Sequence, residues 1–198
     1  MPAPAELTPM LRHYLELKAE HADALLFYRM GDFYELFFDD AVRAAALLEL
    51  TLTARHRGGP NEAPMCGVPH HALEGYVARL LRLGEKVAVC DQMEDPAQAK
   101  GLVRREVTRV LTPGTLTETA LLDGKESSYL AAVAWRESRG AGAFLEVSTG
   151  ELFFRRWTSP EEASSDLELF RPRELLLPPE PLPAELAERA GGEGLRIT

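Results

Sequence analysis

The sequence predicts an α/β protein in two parts: a mixed-sheet domain over residues 1–117 and a smaller sheet-and-helix domain over 118–198. Three observations carry this. In the first part, short apolar or β-branched runs alternate with stretches of helical periodicity. The second part opens with three strand-like runs joined by short turns, and helix and strand signals then alternate. Between the two parts, residues 115–127 are polar and weakly patterned, as expected of a linker.

Thr8-Pro9 sets a helix start, with Thr as cap and Pro at the first helical position. Met10, Tyr14 and Leu17 follow at helical spacing, so an amphipathic helix is expected over 9–21. Residues 24–30 (ALLFYRM) form a short apolar strand that ends at the turn pair Gly31-Asp32. Asp39 and Asp40 place acid at the start of a helix over 41–49, where the helix dipole favours it. The alternation in Leu50-Thr51-Leu52-Thr53 predicts a strand, and the basic run 54–61 that follows predicts a loop. A strand over 63–68, a helix over 72–83 stopped by Gly84, a buried strand over 86–90 and a polar alternating strand over 104–111 complete the first part.

In the second part, strands are expected over 129–135, 143–147 and 151–157, with turns at Arg139-Gly140 and Thr149-Gly150. A helix over 160–170, a strand over 174–177, a helix over 184–190 and a strand over 195–198 follow. Three antiparallel strands followed by helix, strand, helix and strand is the order of a ribonuclease H-like fold. Enzymes of that fold cleave phosphodiesters with metal-holding carboxylates, one of them in the middle of the first strand. That strand here is Tyr-Leu-Ala-Ala-Val-Ala-Trp and has no acid. Glu146 and Glu151 lie on the next two strands without an evident partner set. The domain therefore reads as a catalytically silent member of the fold, with no catalytic residue assigned. An active nuclease using Glu146 and Glu151 is the rival reading.

Composition narrows the possibilities. The 198 residues are 45% hydrophobic and 27% charged, ordinary values for a globular protein. No apolar run is long enough to span a membrane, and the first residues lack a basic-then-apolar leader, so a cytoplasmic protein is expected. Cys66 and Cys90 sit in apolar stretches and read as buried free thiols. Cys66, His70 and His71 lie close together, but no second ligand pair follows, and no metal site is expected. The net charge is −9. Residues 1–117 hold 13 Lys/Arg against 16 Asp/Glu, and residues 118–198 hold 9 against 15. This argues against binding nucleic acid mainly through the overall field, so any DNA contact must be local and geometric or be supplemented by parts of a larger protein.

The chemistry concentrates in Gly31-Asp32-Phe33-Tyr34-Glu35. If the chain stays extended past the turn, Phe33 and Glu35 share one face and Tyr34 points the other way. A flat apolar ring beside a hydrogen-bonding carboxyl suits insertion between stacked bases. The bland alternative is an aromatic core segment with one solvated Glu.

Four blocks tip that balance: Gly31-Asp32-Phe33-Tyr34-Glu35-Leu36-Phe37; Pro64-Met65-Cys66-Gly67-Val68-Pro69-His70-His71-Ala72; Gly84-Glu85-Lys86-Val87-Ala88-Val89-Cys90-Asp91-Gln92; and Val107-Thr108-Arg109-Val110-Leu111-Thr112-Pro113-Gly114-Thr115. In this order and spacing, the chain resembles the N-terminal region of the MutS family of bacterial DNA mismatch repair proteins. The resemblance implies a mixed-sheet mismatch-recognition domain followed by a ribonuclease H-like connector domain. It further implies that Phe33 stacks on a mispaired or unpaired base from the minor groove, while Glu35 hydrogen-bonds that base. A protonated Glu35 would donate to a ring nitrogen. Arg55 matches a basic position of the family. Arg57, Met65, Gly67 and His70 are candidate backbone contacts, with Gly67 allowing close approach.

The family's ATP and Mg²⁺ would act elsewhere in a longer parent, because no Gly-x-x-x-x-Gly-Lys-Ser/Thr phosphate loop occurs here. The chain itself is expected to hold no cofactor, to lack ATPase activity and to be a fragment. The parent is expected to be a nucleoid-associated homodimer engaging a downstream repair partner through the connector. The second rival reading is a protein-interaction module in which Phe33 is merely core.

Overall fold

Thr8 opens the first helix as expected: its Oγ1 accepts from the Leu11 N–H at 3.3 Å, and α1 runs Pro9–Glu20. The computed structural model describes residues 7–59, 62–94, 101, 103–115, 128–190 and 196–197. The linker expected over 115–127 lies, beyond Thr115, outside the described residues. Contacts group the chain into two units, Met1–Leu80 with Glu85–Leu111 and Leu81–Gly84 with Thr112–Thr198.

In the first unit, β1 (Leu25–Met30) and β2 (Phe33–Phe37) form a hairpin in which Met30 pairs with Phe33. The two-residue loop needs a left-handed residue, and Gly31 supplies it at φ 59. Helix α2 spans Phe38–Leu48 and starts three residues before the expected Ala41. The strand expected over 50–53 is displaced: Leu52 is exposed, and β3 is Thr53–Arg55, the stretch that pairs with β4 (Ala63–Pro69). Cross-strand partners outweigh the local alternation here, so Ala54 and Arg55 of the expected loop belong to a strand. A 3₁₀ turn at His70–Ala72, α3 (Leu73–Arg82), β5 (Val87–Gln92) and β6 (Arg105–Leu111) complete the unit.

The sheet order is β3-β4-β2-β1-β5-β6. Only the β1–β5 pairing is parallel, so the sheet is mixed. One face buries Leu25, Phe27, Leu36, Cys66, Val68, Val87 and Val89, and the Cys66 thiol meets the Ala41 carbonyl of α2 at 3.5 Å. The other face packs Leu26, Tyr28, Phe37, Ala88 and Cys90 against Met10, Leu11 and Tyr14 of α1. That cluster does not include Phe33 or Glu35. Cys66 and Cys90 are buried free thiols, pushed up by burial to about 11 and about 12.

Asp40 does more than complement a dipole. It is buried, accepts from the Leu26 N–H at 3.0 Å and the Tyr14 hydroxyl at 3.1 Å, and pairs with Lys18 at 2.9 Å. One carboxylate thereby joins α1, β1 and α2. Burial, with Asp40 beside it, raises Tyr14 well above its ordinary value, so Tyr14 stays a neutral donor.

In the second unit, β7 (Tyr129–Arg136), β8 (Arg139–Glu146) and β9 (Glu151–Trp157) are antiparallel neighbours. Helix α4 (Pro160–Phe170), β10 (Glu174–Leu176), α5 (Ala184–Ala190) and β11 (Arg196–Ile197) follow. The sheet order is β11-β10-β7-β8-β9, with β10 parallel to both neighbours. Of the strand expected over 195–198, Leu195 and Thr198 lie outside the described residues. The turn expected at Arg139-Gly140 is instead strand, and the reversal is Glu137-Ser138. The glycines serve packing: a Cβ at Gly140 or Gly142 would fall onto the rings of Trp135 or Trp157. Trp157, Phe144, Ala163 and Leu175 form this unit's core.

Glu146 ties the ends of β7 and β8 to the loop after it. Its carboxylate accepts from Ser128 N–H at 3.0 Å, Ser148 hydroxyl at 2.6 Å and Thr149 N–H at 2.7 Å. Those hydrogen bonds, Ser148's first, pull it down to about 2. A depressed carboxylate stabilises the fold above its ordinary range, and that stability is lost as pH falls toward about 2. Thermal melts should therefore show the wild type above Glu146→Gln near neutrality, with the gap closing as pH falls toward about 2.

Candidate functional site

The hairpin carries four buried rings and one exposed one. Phe27, Tyr28, Tyr34 and Phe37 are buried, whereas Phe33, the first residue of β2, is 48% exposed. Phe33 pairs with Met30 on one side and Pro69 on the other, and Glu35 with Tyr28 and Gly67. Strand alternation thus puts Phe33 and Glu35 on one face and Tyr34 on the opposite one.

Glu35 does not stand upright beside the ring. Its carboxylate reaches across β4 to β3, where Oε2 accepts from Arg55 Nη1 at 2.7 Å. The two side chains are 16% and 30% exposed, and Arg55 Nε is buried without a hydrogen-bond partner. Burial raises Glu35 above its ordinary value, while Arg55 and then Arg105 act in the opposite direction.

Gly67 lies beside that path, paired with Glu35. A Cβ there would lie 3.2 Å from the Tyr34 carbonyl oxygen and 3.5 Å from Glu35 Cγ. The tight contact would be with the Tyr34 carbonyl, while Glu35 Cγ would be met at ordinary van der Waals distance, so the bare Gly67 serves the close pairing of β4 with β2 beneath Glu35. Gly67→Ala should cost about 1 kcal/mol of stability through overpacking. It should also move the Glu35 carboxyl resonance, and an unmoved resonance would refute the path.

The reverse face braces the hairpin. The Tyr34 hydroxyl donates to Asp91 of β5, whose other oxygen accepts from Thr108 of β6. Arg29 lies 5.2 Å over the Tyr34 ring. On the Phe33 face, the buried Arg105 donates to the Arg29 carbonyl at 2.8 Å and the Val103 carbonyl at 2.9 Å, with its guanidinium 5.0 Å over Tyr28. Sequence reasoning missed Arg105 because a base in a polar alternating strand reads as solvated. Its spacing of two from Val107, on the core-facing side, was the available signal.

The other candidates are distributed around this row. Arg57 is exposed on the turn after β3, where Gly59 N–H donates to His56 O at 2.9 Å and Gly58 N–H to Glu62 at 2.8 Å. His70 is pinned to the hairpin loop: its backbone N–H donates to Asp32 O at 2.9 Å, and Nδ1 lies 3.1 Å from the same oxygen. Met65 pairs with Phe37 and Thr53 and packs against the core, which ties it to the fold first. Among the described residues, no group of three or more His, Cys, Asp or Glu could hold a metal ion. Glu146, named for the nuclease reading, is engaged by Ser128, Ser148 and Thr149. No helix among the described residues is long and apolar enough to cross a membrane.

Comparison with known proteins agrees with the four sequence blocks. A DNA mismatch repair protein MutS of Brevibacillus brevis is 53% identical over 173 residues, covering 87% of this chain and 20% of the relative. Those of Dinoroseobacter shibae and of an Anaeromyxobacter species are 55% and 52% identical, over 86% and 97% of this chain and 20% and 22% of theirs. The chain thus spans about a fifth of the length of the curated relatives it matches. The family model described as MutS domain I matches residues 8–120, more than half of the sequence, and the chain belongs to that family.

Proposed function

We propose that this chain supplies the mismatch-reading part of a post-replicative DNA mismatch repair protein: Phe33 wedges into the minor groove at a mispaired or unpaired base, and Glu35 hydrogen-bonds that base. The observation that carries the reading is the exposure of Phe33 among otherwise buried hairpin rings. Leaving half a Phe side chain in water forgoes roughly 1 kcal/mol of burial. A ring of this kind on a braced strand suits insertion better than packing.

Wedging costs a few kcal/mol of unstacking and kinks the duplex. A mispaired step has already lost part of its pairing and stacking, so it yields where a matched step resists. The sensor therefore reads deformability more than base identity. Glu35 as a carboxylate is repelled by phosphates and penalises undistorted DNA. Against a displaced base it accepts from an N–H or, once protonated, donates. Arg55, Arg57, Gly67 and His70 flank the wedge as the backbone-contacting rim.

The second unit is assigned the connector role, with a ribonuclease H-like architecture. Its strand order, with the first strand central and β10 parallel to it, supports that assignment. Dimerisation, a downstream partner, and ATP with Mg²⁺ are assigned to the longer proteins of this family. No Gly-x-x-x-x-Gly-Lys-Ser/Thr phosphate loop occurs in this sequence, which supports placing the family's ATP chemistry outside these residues.

The test is a chimera in which this chain replaces the matching fifth of the Brevibacillus brevis relative. It should bind duplexes with one mispair or one unpaired base more tightly than matched duplexes. Equal affinity for both would contradict the reading. The chain alone, at net charge −9, should bind either duplex weakly.

A further inference from the structure

We propose that Arg55 is a specificity-determining positioning residue: in the DNA-free protein it holds the Glu35 carboxylate, and it releases that carboxyl to a mispaired base when a DNA phosphate takes the carboxylate's place. This rests on the wedge reading and adds to it a coupling between backbone capture and base readout.

Four features support the exchange. The pair is made through one nitrogen and one oxygen, Arg55 Nη1 to Glu35 Oε2 at 2.7 Å. Arg55 Nε, by contrast, is buried and has no acceptor. A guanidinium is built for two parallel bonds, and a phosphate with two free oxygens offers them. Arg55 ends a three-residue edge strand that pairs only with β4 and runs into a turn with left-handed residues at His56 and Gly58. Its side chain remains 30% exposed, so an incoming anion can reach it.

The Glu35 side explains the selectivity. The groups facing it are Arg55 from β3, Arg105 from β6 and the neutral Tyr28 from β1, while Gly67 of β4 contributes no side chain. When Arg55 turns to a phosphate, Arg105 is the neighbouring cation left to Glu35 among the described residues, in a half-buried place close to DNA. Burial then favours the protonated carboxyl, which can donate to a base. On matched DNA Phe33 does not enter and no displaced base receives the carboxyl. Capture of the phosphate then strands a half-buried acid, which is costly. Arg55 thus makes matched DNA bind worse than a plain phosphate contact would.

Two measurements test this. In the 198-residue chain without DNA, the Glu35 side-chain carboxyl is titrated by ¹³C NMR. Arg55→Met should move its titration upward, and Arg55→Lys should return it toward wild type. An unmoved titration overturns the proposal. In the chimera, the ratio of mismatched to matched affinity is read through a double-substitution cycle. Arg55→Met should lower the ratio by about 5-fold, and in a Glu35→Gln background by less than about 2-fold. A plain phosphate contact would weaken both duplexes equally, leave the ratio alone and lower the salt slope by about 1; that outcome overturns the exchange. A mismatch preference that depends on Phe33 but ignores Arg55 sinks only this inference. Absence of any mismatch preference in the unsubstituted chimera sinks the wedge reading, and this proposal with it.

Discussion

Phe33→Ala lowers the affinity of the chimera for a mismatched duplex by roughly 10- to 100-fold and leaves matched affinity within about 2-fold. The size follows from aromatic–base stacking, which contributes about 1–3 kcal/mol per base. The asymmetry follows from geometry, since only a step that yields admits the ring. Phe33 is 48% exposed and stands at the first position of β2, outside the core cluster. Its removal should therefore leave the melting temperature nearly unchanged, which separates loss of readout from loss of fold. Filter binding or fluorescence polarisation on paired duplexes checks the first part and circular dichroism the second. An unchanged mismatch preference in Phe33→Ala would return Phe33 to the role of packing residue.

Asp40→Ala should destabilise the first unit by about 2–4 kcal/mol, seen as a fall in melting temperature on the order of 10 °C. The substitution removes the acceptor of a buried Leu26 N–H and of the Tyr14 hydroxyl, and it leaves Lys18 without its carboxylate. The orphaned Leu26 N–H costs more than its bond contributed, while Tyr14 falls back on the longer contacts to the Phe37 and Leu26 carbonyls at 3.4 and 3.5 Å. Asp40→Asn keeps one acceptor oxygen for Leu26 and Tyr14 but turns an amide NH2 toward the Lys18 ammonium, so it should cost less than Asp40→Ala without restoring wild-type stability. A loss under about 0.5 kcal/mol in Asp40→Ala, the range of ordinary surface changes, would show that the network is dispensable.

Local chemistry made some of the fold legible and hid the rest. Thr8-Pro9 and Gly31-Asp32 act within three or four residues, so a cap and a turn could be read directly. The strand near residue 53 could not be placed this way, because its position is set by pairing with Ala63 to Met65 and not by its own alternation. Gly140 reads as a turn residue in sequence, yet it and Gly142 are strand positions kept bare for Trp135 and Trp157.

The candidate site divides along the same line. That Phe33 and Glu35 share a face follows from the period of a strand. That Glu35 leans to Arg55 does not, since the two are 20 residues apart and meet across the bare backbone of Gly67. The Tyr34–Asp91 link spans 57 residues and the Arg105–Arg29 link 76, so neither brace leaves a local signature.

The central claim is that the Phe33 ring enters the base stack. The most direct measurement places 2-aminopurine beside a mispair and follows its fluorescence as the chimera is added. Unstacking by the ring should raise the signal on the mismatched duplex alone, and Phe33→Ala should abolish the rise at saturating protein. An equal rise with Phe33→Ala, or no rise while the mismatched duplex is fully bound, would contradict insertion.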